Sequence, residues 1–466
     1  MKRSSNITSG LCGTTLATVL LAAAGAGGCD WRVYDDLKAD LWVDVQGRPS
    51  GVETAFFGDQ VLPLALGADD TGTRFAVVAR NKEQLYEMSY DAQGVAGRAL
   101  VGAKSTIDES FSKNGEDFDF VPHQPVATEP GGDTIAMALV THEIVVGGTS
   151  LDQFKVIVVS REIDAADNRF LGNAEVYEPA IDLTPSLAGA EPVQSIAFAG
   201  PTHLVVARSN RVMLVDREGT ANRELTGCTL PAGEGAFAVA HGDVGAFTDP
   251  LTTLEYADVV AGGDIVVAIA PIDAEFQPTG PGRLAVIVGG FSDDTTAAPC
   301  AFADGADLAG FSFARGSELL IRDLADGAGP TLVVTTPGID GTVSLASYAG
   351  GVGALLLSQS VPNLNDTDVG DLDGDDIPEI VVGIPATDVD GKLNAGQVDV
   401  LAATDLSILA SFRTVSPEQE LRYGTSVAVT PFGTAAASQN ILVVGAVGKV
   451  YTYFRTTLYD DVRTGE

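Results

Sequence analysis

The run Asp371-Leu372-Asp373-Gly374-Asp375-Asp376-Ile377-Pro378-Glu379-Ile380-Val381-Val382-Gly383 decides how the rest of this chain is read. Carboxylates at positions 1, 3 and 5 of a tight loop, those of Asp371, Asp373 and Asp375, converge on one point. The carbonyl of Ile377 at position 7 can add an oxygen, and Glu379 at position 9 closes the shell. A hard all-oxygen set of this charge suits Ca²⁺, which takes six to eight oxygens in a flexible geometry, better than Mg²⁺ or a transition metal. Without a cation, carboxylates this close repel one another and raise one another's pKa values. A solvated acidic turn is the alternative reading of the same residues; the number of ligand positions filled at once favours the ion.

An EF-hand shares the opening Asp-x-Asp-x-Asp but needs Gly at position 6, a bidentate Glu at position 12 and helical flanks. Here position 6 is Asp376 and position 12 is Val382. The loop instead runs into Ile380-Val381-Val382-Gly383, a short apolar run bounded by turn residues, which reads as a buried strand. The loop therefore belongs to a β protein.

The loop, the strand after it and the later Gly396-Gln397-Val398-Asp399-Val400 resemble an FG-GAP repeat, the unit of the integrin α-subunit β-propeller and of many bacterial surface proteins. A second copy lacks the metal loop. Tyr423-Gly424 stands where the family has its Phe-Gly, Leu442-Val443-Val444-Gly445-Ala446 where it has Gly-Ala-Pro, and Gly448 to Tyr453 supplies the outer strand. A third segment, Ile321 to Val334, aligns through its Pro330 and its Leu332-Val333-Val334. It keeps Asp323 at the first ligand position but has Ala325, Gly327 and Thr331 at the others, and the outer-strand pattern follows at Gly341 to Leu345. This unit has lost its metal.

Fainter copies run upstream. Phe57-Gly58, Phe75 to Val78 and Leu85 to Met88 give the order turn, inner strand, outer strand. Ser195 to Phe198, His203 to Val206 and Arg211 to Val215 repeat it, as do Asp264 to Val267 with Arg283 to Val288. A fixed period of this size means a propeller or solenoid. Dividing the chain beyond residue 28 by seven gives about 62 residues per unit, which suits a four-stranded blade with generous loops. The expected fold is all-β, a β-propeller of seven four-stranded blades over 52–466, with six or eight left open. The composition agrees: 53 Gly, 22 Pro, short Val/Ile/Leu runs between turn clusters and no sustained helical periodicity.

The N-terminus sets the compartment. Lys2-Arg3 form a charged start, Leu16 to Ala26 an apolar stretch too short to span a bilayer, and Ala26-Gly27-Gly28-Cys29 an acceptable lipobox. Residues 1–28 thus resemble a bacterial lipoprotein signal, with Cys29 the acylated residue and 29–51 a tether and lead-in to the first blade. Ordinary secretion or an uncleaved anchor is the alternative. The resemblance implies a cell-envelope protein held by lipid alone, with the outer membrane or cell surface preferred. Asp30 after the cysteine leaves the inner membrane's periplasmic face open.

With Cys12 and Cys29 accounted for, Cys228 and Cys300 remain. Either a disulfide across neighbouring blades or two buried free thiols fits, since sequence does not supply a Cα separation. No Cys/His spacing argues for zinc. The 63 acidic against 27 basic residues leave a formal net charge of −36, which makes nucleic acid and anionic lipid poor partners. The pairs Asp366/Asp368 and Asp388/Asp390 read as solvated loops, with weak peripheral calcium binding as the alternative.

Enzyme signals are thin. His123, His142, His203 and His241 are scattered, Gly424-Thr425-Ser426-Val427-Ala428 lacks the last Gly of a nucleophile elbow, and there is no P-loop or dinucleotide fingerprint. The expected function is calcium-supported recognition of an extracellular or envelope protein or polysaccharide, in adhesion or envelope assembly. An extracytoplasmic hydrolase or lyase on the same scaffold is the runner-up, because paired carboxylates are plentiful here. A scaffold with no ligand of its own is the third reading. One unit keeps the full metal set where integrins have several.

Overall fold

A computed structural model describes residues 42–47, 57–66, 71–79, 84–90, 96–103, 118–120, 126–128, 134–145, 149–159, 181–182, 193–200, 203–216, 224–242, 244, 264–287, 302, 307–324, 329–348, 353–414, 416–434 and 437–454. Every regular element among them is a strand, and none of them forms a helix long and apolar enough to cross a membrane.

After β1 (Trp42–Gly47), the strands β2 (Phe57–Pro63), β3 (Thr71–Ala79), β4 (Gln84–Tyr90) and β5 (Ala96–Ala103) pair antiparallel in sequence order. Next, β6 (Phe118–Phe120) and β7 (Val126–Thr128) both pair with β8 (Ile135–Val145), which continues through β9 (Thr149–Val159) to β10 (Ile181–Asp182). Four four-stranded meanders follow. The first is β11 (Val193–Ala199), β12 (His203–Arg208), β13 (Arg211–Asp216) and β14 (Glu224–Thr229). The second is β15 (Glu234–Gly242), β16 (Asp264–Pro271), β17 (Gly282–Ile287) and β18 (Leu308–Phe311). The third is β19 (Glu318–Asp323), β20 (Pro330–Thr336), β21 (Thr342–Ser347) and β22 (Ala354–Ser360). The fourth is β23 (Asp366–Gly370), β24 (Glu379–Ile384), β25 (Gln397–Leu401) and β26 (Ile408–Phe412).

The last meander, β27 (Ser426–Thr434), β28 (Ala437–Ala446) and β29 (Lys449–Phe454), takes its fourth strand from the other end of the chain. β1 pairs antiparallel with β29 from Trp42↔Phe454 to Gly47↔Lys449. Trp42–Gly47 falls within the segment read from sequence as tether, and the structure puts it in a sheet; its partner lies too far along the chain for local pattern to reveal. Phe57-Gly58, read as a turn, opens β2.

The second strand of most sheets carries Val-Val: Val77-Val78, Val205-Val206, Val266-Val267, Val333-Val334, Val381-Val382 and Val443-Val444, each at most 1% exposed. Successive side chains of a strand point to opposite faces, so a buried Val-Val pair needs cover on both sides of its sheet. That cover is the neighbouring sheet. Each large hydrophobic cluster is shared by two sheets, as where Val266, Leu284 and Phe313 meet Leu332 and Tyr348. The cluster of Phe57, Val77 and Met88 is completed by Ala428, Val443 and Phe454, which joins the first set of strands to the last. There Tyr90 packs edge-on against Phe454 at 4.8 Å and donates a hydrogen bond to Asp44 of β1 at 2.8 Å. Burial falls away outward, and β22 leaves Leu355 and Leu356 about half exposed.

First strands lie beside first strands. β2 touches β7, β7 touches β11, and so on through β15, β19 and β23 to β27, which touches β2. Side chains stitch some of these contacts: Ser195 Oγ accepts from Val239 N at 3.2 Å, and Asp366 and Asp368 each accept through Oδ2, from Val427 N and Val429 N, at 2.7 Å. Glycine makes the approach close. A Cβ at Gly383 would lie 2.2 Å from the Gly424 carbonyl oxygen, and a Cβ at Gly445 2.0 Å from that of Gly58. Gly58 and Gly424 themselves sit at φ +85° and +84°, a region that favours glycine.

Candidate functional site

The β23–β24 ladder ends at Gly370↔Glu379, so residues 371–378 form the connecting loop. The loop is folded by its own carboxylates. Asp371 accepts from Gly374 N at 2.6 Å and Asp376 N at 3.0 Å, Asp373 from Asp375 N at 3.1 Å, and Asp375 from Ile377 N at 2.9 Å. Gly374 at φ +81° and Asp376 at φ +65° make the tight turn. As a result, one carboxylate oxygen from each of Asp371, Asp373 and Asp375 lies within 4.8 Å of the other two. Asp373 is buried, Asp371 half-buried and Asp375 exposed.

Glu379 stands differently. It opens β24, is 2% exposed, and its Oε2 accepts from Leu372 N at 2.8 Å, which braces the loop; it is not among the three carboxylates that lie within 4.8 Å of one another. Burial pushes its pKa up to about 7; the Leu372 N–H holds it down, while the charges of Asp373, Asp371 and Asp375 push it further up. Ile377 contributes its N–H to Asp375 and lies half-buried, its carbonyl being the oxygen expected at position 7. From the next sheet, Asn440 Nδ2 donates to the Asp371 carbonyl at 2.9 Å and ties the loop to β28.

In the sister unit, the β19–β20 ladder runs to Asp323↔Pro330. Asp323 is therefore an exposed ladder residue, and the hairpin opens one pair later than at Gly370. The acidic loop gains its room by ending the ladder early.

A second acidic group emerges at the opposite end of β23, where sequence reasoning expected a solvated loop at Asp366 and Asp368. Both residues lie within β23, on the face that meets β27, and both carboxyls accept backbone N–H groups there. Glu318 of β19 occupies the matching register. Ser195, Glu318, Asp366 and Ser426 each stand opposite the residue that follows Val-Val, namely Ala207, Thr335, Gly383 and Gly445. These four positions line one cavity of about 110 Å³, with further walls from β2 and β7. Burial pushes the Asp366 pKa up to about 7, opposed by the Val427 N–H and the Glu318 carboxyl; burial, then Asp366, pushes Glu318 well above the usual range. Asp368 is raised by burial against the Val429 N–H. The signal that could have found this group is the period-2 spacing of Asp366 and Asp368 with Glu318 at the same repeat position.

Asp388 and Asp390 are exposed loop residues as expected, with Asp388 accepting from Asn394 N at 2.9 Å. Cys228 is fully buried in β14 and held in a disulfide; Cys300 lies outside the described residues, as do Cys29 and residues 1–28. His203 and His241 lie on β12 and β15, in different sheets.

No protein-family model matches the chain, and no curated protein does. Among solved structures, one similar chain is a protein of unknown function from Bacteroides caccae. It is 12% identical over 56% of this chain and 69% of its own, with a TM-score of 0.32, too low a likeness to argue from.

Proposed function

We propose that this chain is a seven-bladed FG-GAP-type β-propeller, anchored outside the cytoplasm by lipid on Cys29, that binds Ca²⁺ and recognises an envelope or extracellular protein or polysaccharide. Support for the closed ring comes from the first strands, whose contacts lead back from β27 to β2. The Gly445–Gly58 approach also repeats the Gly383–Gly424 approach between two sheets adjacent in sequence. A fourth strand lent by β1 to the last sheet makes the two chain ends hold one another, which protects the ring from opening.

The observation that carries the metal reading is the convergence of Asp371, Asp373 and Asp375 on one point. Ca²⁺ there takes those three carboxylates, the Ile377 carbonyl and the Glu379 oxygen that Leu372 does not hold. Its role is structural: it neutralises a crowded loop and fixes the hairpin that Asn440 ties to the next sheet. The net charge of −36 agrees with attraction of divalent cations and with partners other than nucleic acid.

The test is capture of envelope proteins and polysaccharides on the immobilised chain carrying Cys29→Ser, with calcium in one arm and chelator in the other. A partner retained only with calcium is expected. Equal retention in both arms, or none in either, rules the calcium-supported recognition reading out. Release of the protein from membranes on Cys29→Ser substitution is the separate test of the anchor.

A further inference from the structure

Cys228 lies on β14, the last strand of its meander, where it stands opposite Val212. It is fully buried and held in a disulfide. The chain has four cysteines, Cys12, Cys29, Cys228 and Cys300, so the partner is one of three.

The packing around Cys228 selects among them. Its hydrophobic cluster is built from two sheets, with Val205 and Leu214 from its own meander and Val239, Val267 and Ile287 from the next. Phe302 packs against the same cluster and forms an antiparallel bridge with Ile287, the last residue of β17. The chain therefore returns alongside β17, on the side that meets Cys228, before β18 begins at Leu308. Residues two apart in an extended chain face the same way, and Cys300 is two residues from Phe302. Cys12 and Cys29 lead instead into β1, which belongs to the sheet of β29.

We infer that Cys228 is bonded to Cys300, and that this bridge staples β14 to the chain entering β18, across a junction of two sheets that no ladder joins among the described residues. The bond closes a loop of about 70 residues that contains β15, β16 and β17, long enough to restrict the unfolded chain strongly. It forms by exchange with an external disulfide. One cysteine thiolate attacks that disulfide, and the second displaces the resulting mixed disulfide, so that the donor leaves as its dithiol with the two electrons and both protons. Disulfide donors of this kind dominate outside the cytoplasm, whereas cytosolic thiols keep such pairs reduced. The staple is thus a lock set by the compartment in which the chain folds. It stands whether or not Cys29 carries lipid and whether or not the 371–379 loop holds an ion.

The experiment is disulfide mapping of the full chain, exported to an oxidising compartment and purified in detergent. Free thiols are alkylated, and the monomer band of a non-reducing gel is digested with trypsin. Cleavage at Arg223, Arg283 and Arg315 places Cys228 in 224–283 and Cys300 in 284–315. These two peptides are expected to be linked and to separate on reduction. Cys228 linked to the peptide carrying Cys29, or found alkylated, overturns the pairing. The staple has its own readout. In a phosphine reductant the wild-type Tm is expected to fall by about 5 °C, and Cys300→Ser to melt at that lower temperature with or without reductant. An unchanged wild-type Tm, or a Cys300→Ser chain that still responds to reductant, overturns it.

Discussion

The two ends of β23 carry acidic residues in opposite circumstances. At the carboxyl end, Asp371, Asp373 and Asp375 spend their oxygens on N–H groups a few residues away and range from buried to exposed. At the amino end, Asp366 and Asp368 each give Oδ2 to an N–H of another sheet, Asp368 Oδ1 also accepting from Val369 N of its own strand, and Asp366 faces a carboxyl from a third. The first arrangement is written in eight consecutive residues. The second exists only where three sheets come together. A local carboxylate cluster can thus organise its own loop, whereas a tertiary cluster depends on the packing that buries it.

The largest difference should appear in backbone space. Gly383→Ala, beside the cavity end, drives a Cβ to 2.2 Å from the Gly424 carbonyl, backbone against backbone. We expect a loss of about 3 kcal/mol or more, or no soluble protein, in urea unfolding. Gly374→Ala, in the loop, meets nothing within 4 Å and costs only its φ of +81°, about 1–2 kcal/mol. Similar losses at both sites would erase the contrast.

The pH response comes next. In chelator, Asp366 binds a proton at about pH 7 when folded against 3.8 unfolded. Between those values the native state keeps a proton that the unfolded chain has released, so stability falls as pH rises through the interval and is level above it. The facing groups are Glu318, Asp368 and Asp59, with Arg322 behind Asp368. We expect a decline on the order of 2–4 kcal/mol, read by urea unfolding from pH 4 to pH 8 and reduced by Asp366→Asn.

Glu379→Ala should cost about 1–3 kcal/mol by leaving the buried Leu372 N–H without its acceptor, and should abolish the calcium-dependent rise in Tm. Glu379→Gln should restore most of the stability but not the calcium response. If Gln restores both, Glu379 braces the loop and takes no part in the metal shell.

The smallest effect on the fold is expected at Asp375, which is exposed and accepts from Ile377 N: about 0.5–1 kcal/mol for Asp375→Ala in chelator. Its signature should be the loss of the calcium-dependent Tm shift, measured by thermal melts with and without the ion.

Val381-Val382 and its counterparts announce second strands because a strand covered on both faces must be apolar at consecutive positions. The acidic loop announces itself because its geometry is intrinsic to the spacing of Asp371, Asp373 and Asp375. Glu379 was legible as an acid at the ninth position, but not as the acceptor of Leu372, which depends on how β24 enters the sheet. Asp366 and Asp368 misled because Asn365-Asp366-Thr367-Asp368 has the composition of a turn. Their N–H donors, Val427 and Val429, belong to the next sheet, and that pairing outweighs local propensity.

Sequence by itself determined that this chain is built of short strands, that a similar unit recurs, and that one unit carries an oxygen-rich loop, because these depend on residues within one turn or strand of each other. Tertiary structure alone decided that β1 pairs with β29, that Gly445 rests on Gly58, and that Glu318 and Asp366 face one another in a cavity. Those contacts join residues whose chain separation hides them from local pattern, and burial, charge and register there are set by neighbouring sheets.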